Sequence, residues 1–327
     1  MISRDGANIS LWQDMPAYIA RRSMKKGQLF DVCIAGGGIT GLSTALALQS
    51  AGKQCVVVEA RNICFGTTGG TTAHINTLMD TPYLTIINKF GKDNAALVHM
   101  AAEDAVALIK NNIRRYRIDC EFEDAIAFMF SQSKAQEKEL DELYEVCSSL
   151  GLEIAYSSNI PVRIPFGKAI KIGRQAKFNP VKYVYGLAKA FEEKGGTIVQ
   201  ACRVRGFEEN GLITVHSEKG NILCDNLVFA THIPPGVTSF NLRCAPYRSY
   251  SMAVELDKTD YPEGLVYDMY DPYHYYRSQR VNDRNYLIAG GEDHKTGHEK
   301  NTDARFLALE VRIMPVRFIS SNLFAPT

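Results

Sequence analysis

The stretch FDVCIAGGGITGLSTALALQSAGKQCVVVEAR at residues 30–61 limits what this chain can fold into more than any other. It reads as strand, tight turn, helix, strand. Val32 to Ala35 is a short apolar run suited to a buried parallel strand. Gly36, Gly38 and Gly41 make G-x-G-x-x-G, and Ile39 and Thr40 open the helix that follows. Leu42, Ala45, Leu46 and Gln49 recur at helical spacing, and Gly52 ends the helix. Cys55 to Val58 is a second apolar strand, closed by Glu59. Gly36 permits the tight turn, Gly38 lets the backbone approach a pyrophosphate, and Gly41 lets helix and strand sit close. The helix N-terminus offers unpaired N–H groups and a partial positive charge to phosphate. Glu59, about 20 residues beyond the central glycine, is placed to accept hydrogen bonds from an adenosine ribose. A carboxylate there repels a 2′-phosphate and so argues against NADP. The motif fits FAD and NAD alike.

The next segment narrows the choice. Ala60 and Arg61 lead into a loop in which Gly66 to Ala73 hold four threonines and three glycines. Gly66, Thr67, Thr68, Thr72 and Ala73 can wrap N–H groups and hydroxyls around a phosphate or a flavin edge. The same composition also suits a loop of local Ser/Thr turns.

Composition removes several classes. Lys and Arg total 37 against 36 Asp and Glu, so the chain lacks the basic excess of a nucleic-acid binder. The cluster Arg21, Arg22, Lys25, Lys26 reads as a solvated N-terminal segment. The eight cysteines form no CxxC or CxH pair, so no metal site is expected. No apolar stretch is long enough to span a membrane, and no signal peptide is evident. A reducing cytoplasm is therefore the expected location.

With GTTGGTTAHI following the dinucleotide motif, the sequence resembles the FAD-dependent oxidoreductases of the glycine oxidase/D-amino-acid oxidase type. It is most similar to a bacterial subgroup that often carries a C-terminal Rieske iron–sulfur domain. The resemblance runs from SLW at 10–12 to about Glu310, through IDCEFE (118–123), RQAKFNPVKYVYGLAKAF (174–191), LVFATHIPP (227–235) and LIAGGEDHKTG (287–297). It implies FAD as cofactor. It also implies that Val204 approaches the adenine and that Ala230 and Thr231, at a strand end, lie near the cofactor. Hydride transfer from a small amine or amino-acid-like substrate to flavin N5 is the implied reaction. The electron acceptor is left open.

The rest of the chain can be read on its own. Residues 93–116 predict a helix with Asp93 as N-cap and an inward stripe of Leu97, Met100, Ala101, Ala105, Leu108 and Ile109. Residues 133–150 predict a second, with a Ser133/Gln136 capping box, a stripe of Leu140, Leu143, Cys147 and Leu150, and Gly151 as stop. Asn179 and Pro180 open a third, over 178–194. TIVQACRVRGFEE then reads as one strand, and Gly220-Asn221 as a hairpin turn. Residues 246–291 are strand-rich, with many tyrosines between 247 and 276. His232, Arg248, Tyr276 and Arg277 are the candidate catalytic residues, and Arg280, His274, His294 and His298 are further polar candidates. Each also has a plain structural reading as a half-buried or solvated sheet residue.

The expected fold class is α/β (α+β). A Rossmann-like FAD-binding domain (29–77 plus 168–244) interleaves with an antiparallel-sheet substrate domain (78–167 plus 245–300). Residues 1–28 form an N-terminal segment. The tail, 301–327, reads as truncated, since relatives continue past it. Two alternatives stand beside the oxidoreductase: a fragment that binds only the ADP part of FAD, and an NAD-dependent dehydrogenase. The expected partners are a small-molecule substrate and an unidentified electron acceptor, with no nucleic acid and no membrane span.

Overall fold

A computed structural model describes residues 9–25, 27–233, 243–255, 262–298 and 301–313. In chain order the first elements are β1 (Leu29–Ala35), α1 (Ile39–Ser50), β2 (Cys55–Val58), α2 (Thr67–Gly70) and β3 (His74–Ile75). Next come α3 (Tyr83–Phe90), α4 (Lys92–Tyr116), β4 (Glu123–Phe130), α5 (Lys134–Ser149), β5 (Ile154–Ser157) and β6 (Ala169–Lys177). Then follow α6 (Pro180–Glu193), β7 (Thr197–Val199), β8 (Val204–Asn210), β9 (Leu212–Ser217) and β10 (Gly220–Phe229). The last are β11 (Tyr247–Glu255), β12 (Leu265–Asp268), β13 (Tyr275–Val281), β14 (Arg284–Lys295) and a helix we call α7 (Thr302–Ile313).

These elements form two compact units: residues 1–71, 112–120 and 179–245, and residues 72–111, 121–178 and 246–327. The expected boundary at residue 168 shifts to 179, because β6 pairs with β4, β5 and β3 of the second unit.

The first unit holds a six-stranded sheet in the order β7-β2-β1-β10-β9-β8. β7, β2, β1 and β10 run parallel, while β9 and β8 turn back antiparallel. β2 is buried at every position, as its unbroken CVVV run requires of a strand covered on both faces. Phe30, Cys33, Val56, Cys202, Val215 and Cys224 pack in one core, where the cysteines serve as small apolar side chains. All eight cysteines are free thiols. The helix signals hold for α6: the Asn179 side chain accepts from the Lys182 N–H at 3.1 Å, and Pro180 stands in the first turn. The single strand expected from TIVQACRVRGFEE is corrected to two. Ala201 has φ +48, and the N–H groups of Ala201 and Cys202 bond Arg61 and Glu59, so the chain leaves β2's side before β8 begins. The β9–β10 turn also moves. Glu218 and Lys219 form it, and Gly220, at φ +110, already pairs with Ser217.

The second unit holds an eight-stranded sheet, β11-β14-β13-β12-β4-β6-β3, with β5 paired to β6. The expectation of an antiparallel sheet is corrected at one place, because β12 and β4 run parallel from Leu265↔Ala127 to Asp268↔Phe130. On one side α7 covers β14 and β11, and Phe306 and Leu309 join Phe130, Tyr250, Val266 and Tyr276 in a core. Elsewhere Tyr83, Ile86, Ala95, Cys147 and Leu152 bring α3, α4 and α5 together. The cap of α5 is as expected at Ser133, which accepts from Gln136 N–H at 3.3 Å. The return bond of the box is displaced by one residue, since Gln136 Oε1 accepts from Gln132 N–H at 2.7 Å.

The reading of α4 is corrected. The helix starts at Lys92, so Asp93 lies within its first turn, and the buried residues are Ala95, His99 and Val106. Leu97, Met100 and Leu108 are 60%, 58% and 51% exposed. At about 100° per residue the two sets lie on opposite faces. The apolar pattern is two-sided, and periodicity alone cannot tell which side packs.

Candidate functional site

In the first unit the glycine turn is built by exclusion. Gly36 has φ +116, and a Cβ there would strike the Ala230 carbonyl. A Cβ on Gly41 would strike the Gly36 carbonyl. Gly38 caps α1, and its Cβ would stand 2.8 Å from Thr68 Oγ1. Thr68 Oγ1 accepts from the Ile39 N–H at 3.1 Å, so the Gly/Thr loop caps the helix that the glycines open. Thr40, on the next residue, is exposed. Glu59 is held by main chain: Oε2 accepts from Gly37 N–H at 2.7 Å and Oε1 from Arg61 N–H at 2.8 Å. Ala60 lies between them, half-buried.

The loop is not free-running. Thr67 to Gly70 form the short helix α2, with Gly66 as its cap residue. The N-terminal segment pins it. Trp12 Nε1 donates to Thr71 O at 2.7 Å, Ser10 Oγ to Gly69 O, and Gln13 Nε2 to Cys64 O and Phe65 O at 3.2 and 3.1 Å. Trp12 is buried. Across the sheet, Ala230 follows β10 and its N–H bonds Ala35 O at 2.7 Å. Thr231 Oγ1 donates to Ile233 O at 2.8 Å. Val204 opens β8 opposite Ser217. His232 is exposed, with φ +67. Pro234 and Pro235 lie outside the described residues.

In the second unit a different set gathers around β3, β12 and β13. His74 Nδ1 is 2.7 Å from the Tyr267 hydroxyl, which donates to Asn76 Oδ1 at 2.9 Å. Since that hydroxyl's proton goes to Asn76, the His74 Nδ1–H donates to Tyr267, and Nε2 carries the lone pair. Nε2 is buried and without a partner among the described residues. Burial holds His74 well below the usual imidazole range, and the charges of Arg277 and Lys177 add to this. The rings of Tyr267 and Tyr275 each meet the imidazole edge-on at 5.4 Å. Tyr275 lies across Gly290, where any Cβ would strike its ring, and its hydroxyl meets Ser249 Oγ at 3.2 Å. Tyr273 Oη donates to Asp80 Oδ1 at 3.3 Å. The Asp293 carboxylate helps to raise Tyr273 and Tyr275, after burial, and its Oδ1 is buried without a partner among the described residues.

The same unit holds an ionic chain that is buried at Asp268 and His274 and partly exposed at Arg305. His274 Nδ1 lies 2.8 Å from Asp268 Oδ2 and Nε2 lies 3.1 Å from Glu292 Oε1. Glu292 Oε2 accepts from Arg305 Nη1, on α7, at 3.2 Å.

A family model described as FAD dependent oxidoreductase, DAO, matches residues 31–314. This chain belongs to that family. The oxidoreductase is an enzyme, and FAD is its cofactor. It is 28% identical over 303 residues to YhfW of Bacillus subtilis (strain 168), which bears a Rieske 2Fe-2S iron-sulfur designation, covering 90% of this chain and 58% of that protein. It is 27% identical over 205 residues to gamma-glutamylputrescine oxidoreductase of Escherichia coli (strain K12), covering 61% of this chain and 48% of that one. This flavoprotein thus spans 58% and 48% of the length of these two curated relatives. Glycine oxidase from Geobacillus kaustophilus matches its fold with a TM-score of 0.68 at 13% identity, over 88% of this chain and 78% of that one. L-proline dehydrogenase from P. horikoshii gives 0.68 at 17% identity, over 88% and 76%. No helix among the oxidoreductase's described residues is long and apolar enough to cross a membrane.

The sequence-derived cofactor residues of this flavoprotein therefore divide. Gly36 to Gly41, Glu59 to Arg61, Gly66 to Thr68, Val204, Ala230 and Thr231 stand in the first unit, whereas Thr72 and Ala73 open the second. Ala73 has φ +58, and its carbonyl accepts from Arg277 Nη1 at 2.8 Å. Arg277 is fully buried and also donates to Phe178 O at 3.2 Å. Tyr276 points to the opposite core and is 1% exposed there. Arg248 is half-buried on β11, opposite His294. Sequence reasoning missed Tyr267, Tyr275 and Asp293 as a set and gave His74 no role. Ring contacts bring Tyr267 and Tyr275 to His74, and the pairing of β13 with β14 brings in the strand that carries Asp293.

Proposed function

We propose that this oxidoreductase removes a hydride from the carbon bearing the amino group of a small amine or amino-acid-like substrate. FAD, when bound, supplies the two-electron acceptor. In this reading the first unit holds the ADP part of FAD and the second holds the substrate. The observation that carries it is the G-x-G-x-x-G turn closing on the N-terminus of α1: Gly36 and Gly41 have no room for a Cβ, and the missing Cβ of Gly38 lets Thr68 of the Gly/Thr loop pack against the turn where a pyrophosphate would lie. The residues fit the cofactor in other respects. Gly36, Ile39, Thr40 and Gly41 would complete the phosphate turn, and Glu59, fixed by two main-chain N–H groups, would meet the ribose. Ala60, Arg61, Gly66, Thr67, Thr72, Ala73, Val204, Ala230 and Thr231 would follow the rest of the cofactor. The amine class is supported by the names of the relatives, which include gamma-glutamylputrescine, glycine and L-proline. The imine product would hydrolyse in water, so no protein nucleophile is required. The nicotinamide alternative falls away with the FAD family match.

Purified protein is expected to be yellow and to release FAD on denaturation. Anaerobic addition of amines should bleach the flavin band. Colourless protein that cannot be loaded with FAD would sink the cofactor site. Bleaching by 2-hydroxy acids but by no amine would sink the substrate class.

A further inference from the structure

We propose that His74 Nε2 and Asp293 Oδ1 are the acceptors that recognise the amino group of the ligand, with the rings of Tyr267 and Tyr275 as walls. This rests on the proposed function for the site and adds the residues that select for it. The hydrogen-bond inventory of the set decides the class of ligand. Tyr267 gives its proton to Asn76, Tyr273 gives its proton to Asp80, and Tyr275 is engaged by Ser249. Within this set two buried acceptor atoms, His74 Nε2 and Asp293 Oδ1, have no partner among the described residues. His74 cannot reverse this by protonating, because burial and two nearby cations hold it neutral. The N–H groups of a neutral amine can complete both atoms, whereas a carboxylate would face lone pairs and a negative charge. Tyr275 links the two acceptors, since its ring meets the His74 imidazole and its strand pairs, at Tyr275↔Gly290, with the strand that carries Asp293.

The flavin ring also carries an N–H, so the test must separate the two donors. The FAD-loaded chain would be titrated by calorimetry with methylamine, benzylamine and glycine, and with acetate and benzoate as acceptor-only probes. At least one amine should bind, and neither acetate nor benzoate should. His74→Leu and Asp293→Asn should each weaken amine binding by about tenfold, the effect of one lost buried hydrogen bond. FAD content should stay at the wild-type level. His74→Gln, which returns an acceptor oxygen, should recover part of the affinity and serves as the second variant if His74→Leu folds poorly. Unchanged amine affinity in His74→Leu would overturn the proposal. Failure of every amine to bind the wild type would also overturn it. Loss of FAD with unchanged amine affinity would assign Nε2 to the flavin ring instead. A bound amine that leaves the flavin oxidised would defeat the proposed reaction but not the recognition.

Discussion

The Asp268 carboxylate and the His274 imidazole meet at 2.8 Å with both side chains nearly sealed from solvent, at 4% and 3% exposure. Glu292 takes the other ring nitrogen, so His274 has an acceptor on each side and is held as an imidazolium. Burial alone pushes His274 down, but Asp268 and Glu292 outweigh it and the net shift is upward. Burial raises Glu292, and its bonds to His274 and Arg305 outweigh that, leaving it lowered. The signs set a pH window. The His274 contribution is complete below the ordinary value of 6.5 and is lost as pH rises through its raised folded value. The Glu292 contribution is complete above the ordinary 4.5 and is lost as pH falls through its lowered value. The stability gap between wild type and His274→Leu should therefore be widest between those two ordinary values. We expect about 3 kcal/mol there, because the variant leaves carboxylates buried without their partner. Urea unfolding from pH 4 to 9 measures it, and a gap that does not vary with pH would refute the imidazolium.

Gly38→Ala places a methyl carbon against Thr68 Oγ1. It should reduce FAD per purified chain by more than half while the fold persists. Gly206→Ala is the control, since its Cβ meets nothing within 4 Å. Absorbance of the released flavin gives the ratio, and equal FAD in both variants would remove Gly38 from the cofactor site.

Glu192 is 2% exposed and gathers three donors of the N-terminal segment: Tyr18 Oη at 2.7 Å, Arg21 N–H at 2.8 Å and Arg22 N–H at 3.1 Å. Glu192→Ala should cost about 2 kcal/mol, within the range for bonds to a charged acceptor. It should also speed tryptic cleavage at Arg21, Arg22 and Lys25. Limited digestion read by mass spectrometry checks this, with unchanged cleavage times as the contrary result.

The two faces of α4 should respond differently. Leu97→Gln and Met100→Gln, on the exposed face, should each change stability by no more than about 0.5 kcal/mol. Val106→Ala, on the buried face, should cost about 1–2 kcal/mol. Thermal unfolding of the three variants ranks them, and a larger loss at Leu97 than at Val106 would restore the stripe read from the sequence.

Features that depend on neighbours in sequence were legible. The glycines of the β1–α1 turn, Asn179 with Pro180, and Ser133 before α5 act within a few residues of themselves, so spacing suffices. The features that were not legible depend on distant partners. Apolar residues on both sides of α4 give the same period whichever side packs. Ala201 adopts φ +48 because main-chain bonds to Glu59 and Arg61 hold it there, and nothing in its own side chain signals a strand break. In the candidate site, the conformation of the glycine turn could be read from spacing alone. His74, Tyr267, Tyr275 and Asp293 could not, because they come from β3, β12, β13 and β14 and share no motif. A histidine beside a Thr-rich loop carries no mark of its tautomer until Tyr267 and Asn76 are seen next to it.

The parallel pairing of β12 with β4 sets an order of assembly. Ala127 must find Leu265, and between them in sequence lies residues 179–245, which belongs wholly to the other unit. A parallel pair cannot close through a hairpin, so this seam waits on loop closure over a long span. Such pairings form slowly and leave strand edges open meanwhile. On a ribosome β4 emerges long before its partner, so a nascent chain stopped anywhere before residue 265 carries an unfinished sheet. No single cut of the gene yields either unit as a contiguous piece, and expression of this protein in halves should give chains that fold only when both are present.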